Sequence, residues 1–506
     1  MSSGRSEKGS IQTLHLPSKK QGPLPVEVDA IHVRLPCRLF RASYKVAESG
    51  RFTLTTEFLL RLLLAAGDLL EVEASEFFGY EQDEAQHAIE AAVSQGYVDR
   101  LTGGRIQLSA AGRATFEAGK GRPHIYEMHE REDNFVLDML SFSPATSPWM
   151  TPFETALPEL SVIETSQISD ATTKAREAFK RHFRDLNLRK SEDLDTSRSL
   201  YSIDNIRSLK RTECVVPVSV RMRSDGTGSV EPDLSSWITG TDLDQRAAVV
   251  SSAAALLSVI EQPPARALSA AVEVLVKIAP EQMKGFVTLE GFDTAHYFRR
   301  AAAQTGDVQV NRKTVRAVGT LWTTGTAAKL QSAGRLAHRE GANWPSAAIW
   351  LAPSTTIWGS SNRFPNLLNE VLRDVIAEKA ENASENTDSS FRLRTVAISG
   401  PLARPMERRL KAAVDALLEM PRDVVPPGLE LLLIPGNIAV AMVMAPVGSG
   451  RGYPVALGVV SADASVVNRV QATLLDFIDQ AKNGSVANSE KLSLLDEVEN
   501  LLQPTI

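Results

Sequence analysis

The chain has 506 residues, 43% of them apolar and 23% charged, with a formal net charge of −6 and two cysteines. This length exceeds one ordinary hydrophobic core and predicts two to four domains, whereas two cysteines exclude a disulfide framework and a four-ligand zinc site. No apolar run reaches the roughly 18 residues of a membrane span, so no membrane association is expected, and the net negative charge excludes the uniformly basic composition of a protein that coats nucleic acid.

The N-terminal segment, residues 1–25, is polar and predicts a disordered tail that lacks the apolar core of a secretory signal. Residues 26–47 follow with alternating apolar and polar side chains, a pattern that predicts strand structure. Cys37 and Cys214 lie in apolar, strand-like surroundings, where a free cysteine packs as a small core residue. We therefore expect a cytoplasmic protein with reduced cysteines.

Residues 51–122 complete an N-terminal domain predicted over 26–122. Apolar residues recur at helical spacing over 53–67 and 81–95, with a short helix between them that ends at Gly79. Gly96 and the Gly103-Gly104 pair then bracket two short strands. The order of three helices and a two-stranded hairpin resembles prokaryotic winged-helix domains. That resemblance implies that the third helix enters the major groove of DNA.

The charges of this domain oppose the implied DNA contact. Between Arg61 and Arg100 there is no Lys or Arg, whereas nine Asp and Glu occur there. Phosphate attraction supplies much of the affinity of DNA-binding proteins, so an acidic third helix is repelled. The hairpin is better placed, because the candidate nucleic-acid-binding residues Arg100, Arg105 and Arg113 lie in or after it, followed by Lys120 and Arg122. Two alternatives stay open: the domain contacts nucleic acid through the hairpin, or it binds protein or is purely structural.

A helical connector is predicted over residues 123–210, with helices at 133–140 and 171–190. The second helix has an apolar stripe and seven basic residues: Lys174, Arg176, Lys180, Arg181, Arg184, Arg189 and Lys190. Such a helix is suited to lie along a phosphate backbone. We take Lys174, Lys180, Arg181 and Arg184 as candidate nucleic-acid contacts; the alternative is a solvated helix face with salt bridges to neighbouring acids.

The region 211–482 alternates strand-like and helix-like segments, a pattern typical of an α/β fold with a mostly parallel sheet. We predict strands over 285–289, 347–352, 355–359, 395–399, 429–434, 438–445 and 454–460, and helices over 296–303, 326–340, 366–380, 404–419 and 465–481. A polar loop is expected at 378–390, and a C-terminal tail with a short helix at 483–506. The predicted fold class is thus a multidomain α/β protein with an N-terminal winged helix.

Residues 359–362, Gly-Ser-Ser-Asn, follow two strand-like segments and resemble the second part of the phospholipase D signature, HxKxxxxD followed by GSxN. The resemblance implies two pseudo-repeated halves with the site between them. None of the expected His, Lys and Asp is present: the His position falls near Pro345 or Ser346, the Lys near Ala347 or Ala348, and the Asp near Ala352 or Pro353. In a second copy over 429–461, Pro435-Gly436-Asn437 stands in place of His-x-Lys. Without the nucleophilic imidazole and the charge-stabilising lysine, this scaffold is expected to be inactive.

No cofactor or metal site is predicted, since no phosphate-binding loop or zinc motif occurs. The His- and Glu-containing segment 124–132 has histidines five residues apart, a poor spacing for one helix face. We expect a non-enzymatic prokaryotic accessory protein that binds DNA, RNA or a partner protein, or forms a homo-oligomer. A winged helix joined to a degenerate nuclease-like scaffold resembles accessory subunits of anti-phage defence loci. The alternatives are a nuclease or phosphodiesterase with an unrecognised site and a ligand-sensing transcription regulator.

Overall fold

The computed structural model describes residues 24–50, 52–79, 81–118, 123, 125–146, 148–161, 170–188, 198–237, 246–374, 392–447, 452–484 and 489–502. The chain divides into two compact units. The sheet unit comprises Met1–Leu35, Pro148–Ile163 and Cys214–Ile506, and the inserted unit comprises Pro36–Ser147 and Glu164–Glu213. Neither unit is continuous in sequence.

The helices and strands are numbered in chain order. The strands are β1 (Pro25–Gly50), β2 (Asp68–Leu70), β3 (Val98–Leu101), β4 (Arg105–Leu108), β5 (Ile125–Asp138), β6 (Arg198–Arg223), β7 (Glu231–Asp233), β8 (Val287–Thr288), β9 (Gly291–Phe292), β10 (Thr314–Val318), β11 (Ala347–Ala352), β12 (Arg394–Ser399), β13 (Ala416–Glu419), β14 (Leu429–Ile434), β15 (Ile438–Pro446) and β16 (Pro454–Ser461). The α-helices are α1 (Leu54–Ala66), α2 (Glu71–Phe78), α3 (Gln82–Ser94), α4 (Ala110–Ala118), α5 (Ala171–Arg181), α6 (Phe183–Leu188), α7 (Ala247–Ser258), α8 (Ala265–Ile278), α9 (Pro280–Met283), α10 (Thr294–Ala302), α11 (Thr324–Arg339), α12 (Leu367–Val371), α13 (Arg404–Ala413), α14 (Ala464–Gly484) and α15 (Ser489–Leu502).

In the inserted unit, residues 52–118 form what we call the helix–hairpin segment, α1 to α4 with a three-stranded sheet in the order β2-β4-β3. Thr53 caps α1 by accepting a hydrogen bond from the Thr56 N–H, and α1 ends at Gly67, whose φ is 85°. Leu60 and Ile106 are among the buried residues of its own small core. The three predicted helices and the predicted hairpin of β3 and β4 are therefore confirmed.

The rest of the inserted unit is antiparallel sheet covered by two helices. From Cys37 to Gly50, β1 pairs with β5, and the buried side chains of α5 and α6 pack on this sheet through Phe179 and Phe183. The helix predicted at 133–140 is wrong, since that segment is the end of β5. Alternate residues Phe135 and Leu137 enter the core there, and the cross-strand pairing outweighs the helix-compatible composition.

The predicted helix over 171–190 is interrupted at His182, where α5 ends. The His182 N–H donates a hydrogen bond to the carbonyl oxygen of Ala178. Residues 189–190, with the last two basic side chains of the prediction, lie outside the described residues. The loop predicted at 378–390 and most of the N-terminal tail also lie outside them.

The sheet unit contains a seven-stranded sheet in the order β10-β16-β15-β14-β11-β12-β13. Only β11-β12 and β12-β13 are parallel, whereas the other four pairs are antiparallel. The prediction of a mostly parallel sheet is therefore wrong. Its strands β14, β15 and β16 are almost entirely buried, and a strand covered on both faces has the same apolar sequence in either direction. The hairpin Pro435-Gly436-Asn437 makes β14 and β15 antiparallel.

Further differences concern individual elements of the sheet unit. The strand predicted at 355–359 is a turn, and the helix predicted at 404–419 is α13 followed by β13. The strand predicted at 285–289 shortens to β8, and β10 is not predicted at all. The segments 347–362 and 429–461 contribute strands to one sheet, in which β11 pairs directly with β14. The expected division into two phospholipase-D-like halves is therefore not confirmed.

Within the described part of the chain, no helix is both long enough and apolar enough to cross a membrane.

Candidate functional site

The predicted hairpin arginines have acidic partners. The Arg100 guanidinium contacts Glu71 at 2.8 Å, and that of Arg105 contacts Asp68 at 2.6 Å. The Arg105 guanidinium lowers the pKa of the Asp68 carboxyl below its usual value. Arg113 is exposed on α4, and its prediction as a contact stays a prediction. Two of the three positive charges of this group are thus balanced within the helix–hairpin segment, which reduces their attraction for phosphate.

The third helix of that segment, α3, presents carboxylates to solvent. Asp83, Glu84 and Glu90 are exposed, while Ala85 and Ile89 are buried in the segment core. The acidic face read from the sequence is therefore the solvent face of the helix. Any phosphate approaching α3 meets like charge.

A different arrangement holds on α5 and α6. Lys180, Arg181 and Arg184 are exposed, and we call these three residues the basic patch. Among the described residues, none of these three side chains takes part in an ion pair within 4 Å. The helices beneath them are held by an aromatic cluster in which the Tyr44 and Phe179 ring centroids lie 5.1 Å apart. The patch thus presents exposed positive charge on a packed support.

Lys174, the fourth candidate of the helical group, differs from the basic patch because its side chain has an intramolecular contact. Its ammonium is 5.6 Å from the centroid of the Phe142 ring, a cation–π geometry. Phe142 has a positive φ of 55° in a turn organised by Asp138, whose Oδ1 accepts the Leu140 N–H at 3.0 Å. Arg176 donates to the Ile203 carbonyl. Lys174 and Arg176 therefore have structural contacts, unlike the basic patch.

The Gly-Ser-Ser-Asn segment is a buried turn of the sheet unit. Ser360 and Ser361 are fully buried, so neither hydroxyl is open to a phosphodiester. His32 lies beside it, and its Nδ1 accepts the Asn362 N–H at 3.2 Å. Burial lowers the pKa of His32 to about 4, with Arg363 acting in the same direction and Glu154 opposing it. A neutral imidazole whose Nδ1 already accepts a hydrogen bond is a poor nucleophile at that nitrogen.

The sheet unit also contains buried charged residues that the sequence analysis does not predict. Asp29 is fully buried, and its carboxylate accepts hydrogen bonds from Thr320 at 2.9 Å, Trp322 at 2.8 Å and Tyr453 at 2.6 Å. Burial raises the pKa of Asp29 despite these donors. The signal in the sequence is an acid flanked by apolar residues in a predicted strand, since a buried acid is rarely without partners.

Glu430 is a second buried carboxyl of the sheet unit. The Trp350 Nε1–H donates to its Oε1 at 3.0 Å, whereas Oε2 and the nearby Trp358 Nε1 have no hydrogen-bond partner in the described part of the structure. Burial raises the pKa of Glu430 to about 7; the hydrogen bond from the Trp350 indole acts to lower it, and the Asp29 charge acts to raise it. Burial of this carboxyl in an apolar environment favours its protonated form near neutral pH.

Arg409 is a buried cation that the sequence analysis also does not predict. Its guanidinium donates to the carbonyls of Ala156 at 3.0 Å and of Trp358 at 3.3 Å. Burial lowers the pKa of Arg409 to about 10. These contacts hold the turn at 355–361 in place, which is a structural role.

The segment 124–132 contains His and Glu residues, of which His124 lies outside the described residues. The described residues of this segment form β5, where alternate side chains point to opposite faces. Across the part of the chain that is described, no group of three or more His, Cys, Asp and Glu side chains is arranged to hold a metal ion.

No protein-family model and no curated protein matches this chain. Among solved structures, the chain is similar at 9% identity and a TM-score of 0.21 to TrmBL2, described as an archaeal chromatin protein that shows a novel mode of DNA binding. The alignment covers 85% of this chain and 94% of that chain. A TM-score this low does not establish a shared fold.

Proposed function

We propose that this chain is a non-enzymatic nucleic-acid-binding accessory protein that contacts phosphates through the basic patch. The observation that carries the proposal is the exposure of Lys180, Arg181 and Arg184 without acidic partners among the described residues. Arg100 and Arg105, by contrast, are already in ion pairs. Unpaired cations release more counterions from a nucleic acid than paired ones, so the patch contributes more affinity than the hairpin.

The test compares two matched charge reversals in the full chain. The variant R181E/R184E removes two patch charges, and the variant R100E/R105E removes two hairpin charges. Binding of a labelled duplex DNA and a labelled single-stranded RNA is titrated by fluorescence anisotropy at several salt concentrations. We expect R181E/R184E to weaken binding at least tenfold and to reduce the slope of log K against log salt on duplex DNA by about 1.8, since each contact contributes about 0.9.

The matched variant R100E/R105E is expected to change affinity less than threefold. Exposed ion pairs contribute little to stability, so both variants fold. If R181E/R184E binds with wild-type affinity, or if R100E/R105E loses more affinity than R181E/R184E, the basic patch is not the main nucleic-acid contact. Absence of binding to either nucleic acid by the wild-type chain would refute the proposal as a whole.

The winged-helix nature of the helix–hairpin segment and the phospholipase-D resemblance of the sheet unit are part of the same proposal. On this view the sheet unit is an inactive scaffold, which the buried serines and the neutral His32 support. Purified protein should then leave a fluorogenic phosphodiester intact with or without Mg²⁺ or Mn²⁺. Hydrolysis that disappears on substitution of His32 by Ala would contradict the inactivity. A role in an anti-phage defence locus stays a prediction.

A further inference from the structure

The sheet unit contains an open cavity of about 910 Å³, which we call the α11 cavity. Residues 307–311, which precede β10, form one wall, and residues of α11 between Ala328 and Arg339 form the other; Asp374 also lines it. All of these residues belong to the sheet unit. Small-molecule sites have volumes of about 300–1,000 Å³, so this cavity is large enough for a small organic ligand.

The first wall is fastened to α11 at two points. The Val308 N–H donates to the Ser332 hydroxyl oxygen at 3.0 Å. Farther along the chain, the Lys313 ammonium donates to the Glu340 carboxylate at 2.8 Å. The part of the wall between these two points is thus held beside the last turns of α11, and the cavity is a defined feature of the fold.

The turn inside this wall is made mainly by backbone hydrogen bonds. The N–H groups of Gln309 and Arg312 donate to each other's carbonyl oxygens at 3.1 and 2.9 Å, and the Arg312 guanidinium donates to the carbonyl oxygen of Asp307 at 3.1 Å. The residues Asp307, Gln309 and Asn311 are exposed and line the cavity. Carboxylate and amide groups are hydrogen-bond partners for hydroxyl groups. This wall is therefore suited to a ligand with several hydroxyl groups.

The wall formed by α11 contains two arginines that are four residues apart. Arg335 and Arg339 are exposed and line the cavity, and residues at this spacing are neighbours on a helix surface. In the part of the chain that the structure describes, neither guanidinium is in an ion pair within 4 Å. The adjacent acid, Glu340, is itself paired with Lys313 at 2.7 Å. Two guanidinium groups can therefore attract an anionic ligand into the cavity.

Both arginines lie near the carboxyl end of α11, whose partial negative charge opposes anion binding. The carbonyl oxygens of this end are hydrogen-bonded, which reduces that opposition. The Arg339 Nε–H donates to the Arg335 carbonyl oxygen at 3.3 Å. The backbone N–H groups of residues 340–342 donate to the carbonyl oxygens of Leu336, Ala337 and His338. The helix end is thus compatible with an anion held by the two guanidinium groups.

We infer that the α11 cavity binds a phosphorylated sugar, with the phosphate at Arg335 and Arg339 and the hydroxyl groups at Asp307 and Asn311. A phosphate monoester has three terminal oxygens and a charge of about −1.5 to −2 near pH 7, so it can bind two guanidinium groups. A carboxylate is matched by the fork of one. A nucleotide fits less well, because none of the described residues that line the cavity is Phe, Tyr or Trp, the residues on which a base stacks best. The inference uses no residue of the basic patch and is independent of the proposed function.

The test measures ligand binding to the full chain by isothermal titration calorimetry. The probes are ribose 5-phosphate and glucose 6-phosphate, with the free sugars, inorganic phosphate and AMP as comparisons. We expect each sugar phosphate to bind at least tenfold tighter than inorganic phosphate or its free sugar, and AMP to bind no tighter than ribose 5-phosphate. Absence of binding by both sugar phosphates would overturn the inference. So would inorganic phosphate that binds as tightly as the sugar phosphates, or AMP that binds more tightly.

The first variant, R335A/R339A, tests the phosphate contact and should weaken both sugar phosphates at least tenfold. The matched control R404A/R408A removes two exposed arginines with the same spacing on α13 and should leave binding unchanged. Circular dichroism and a thermal melt check the folding of each variant. Sugar-phosphate binding that survives in folded R335A/R339A, or that both variants weaken equally, would overturn the inference.

The second variant, D307A/N311A, tests the hydroxyl contacts. It keeps the backbone hydrogen bonds of the turn, including that of the Asp307 carbonyl oxygen. It should weaken both sugar phosphates at least threefold and leave the affinity for inorganic phosphate unchanged. An unchanged affinity for the sugar phosphates, or an equal loss for inorganic phosphate, would contradict recognition of the sugar by this wall and overturn the inference.

Discussion

Replacing Glu430 by Gln tests whether the buried carboxyl of the sheet unit holds a proton at neutral pH. Gln keeps the shape of the side chain and an oxygen for the Trp350 Nε1–H, and its amide adds a donor near the unpartnered Oε2 position. It cannot ionise. The loss of stability that ionisation of Glu430 causes in the wild type therefore does not occur in the variant.

The magnitude follows from the pKa. Glu430 has an ordinary pKa of 4.5 in the unfolded chain, and burial raises it to about 7 in the folded protein. At about 1.4 kcal/mol for each factor of ten, this difference corresponds to about 3 kcal/mol. Because the folded pKa is raised, the contribution is fully present below pH 4.5 and is lost as the pH rises through about 7. Asp29 acts in the same direction and remains in the variant.

Wild type and E430Q should therefore have similar stability at pH 5, whereas E430Q should be about 3 kcal/mol more stable at pH 8.5. Tryptophan fluorescence during urea unfolding is the suitable measurement, because all six tryptophans belong to the sheet unit. The control is E407Q on the exposed surface of α13, where Lys411 lowers the pKa of Glu407; its stability relative to wild type should not change between pH 5 and 8.5. An E430Q difference that is equal at both pH values would refute the reasoning.

The remaining predictions concern packing and local backbone. Phe179→Ala removes a buried ring of the inserted unit and should cost about 3–5 kcal/mol by circular-dichroism denaturation; a loss under 1 kcal/mol would mean that α5 does not pack as described. Thr53→Ala removes the cap of α1 and should lower the free energy of unfolding by about 1 kcal/mol. The conservative variant Thr53→Ser keeps the capping hydroxyl and should retain wild-type stability. Gly458→Ala would place a Cβ 2.0 Å from the Ala441 carbonyl oxygen and should lower the Tm of the tryptophan-monitored transition, whereas Gly325→Ala, with nothing within 4 Å, should leave it unchanged or higher.

The helix–hairpin segment could be predicted because its signals are local. Thr53 caps α1 through a residue three positions away, and Gly67, Gly96 and Gly103 adopt the positive φ that ends helices and turns the hairpin. The acidic solvent face of α3 is equally a property of helical spacing. Interactions between residues a few positions apart are encoded in a short stretch of sequence, and here they decided the structure.

Other features depend on residues far apart in the chain. Strand direction in the seven-stranded sheet could not be read, since a doubly covered strand such as β14 is apolar throughout in either orientation. The balance of the hairpin charges required Glu71 and Arg100, 29 positions apart, to meet. Asp29 meets Tyr453 over 424 positions. Single residues signal only that a partner is needed, because an unpaired buried charge is too costly to persist; which partner satisfies it was decided by the tertiary structure.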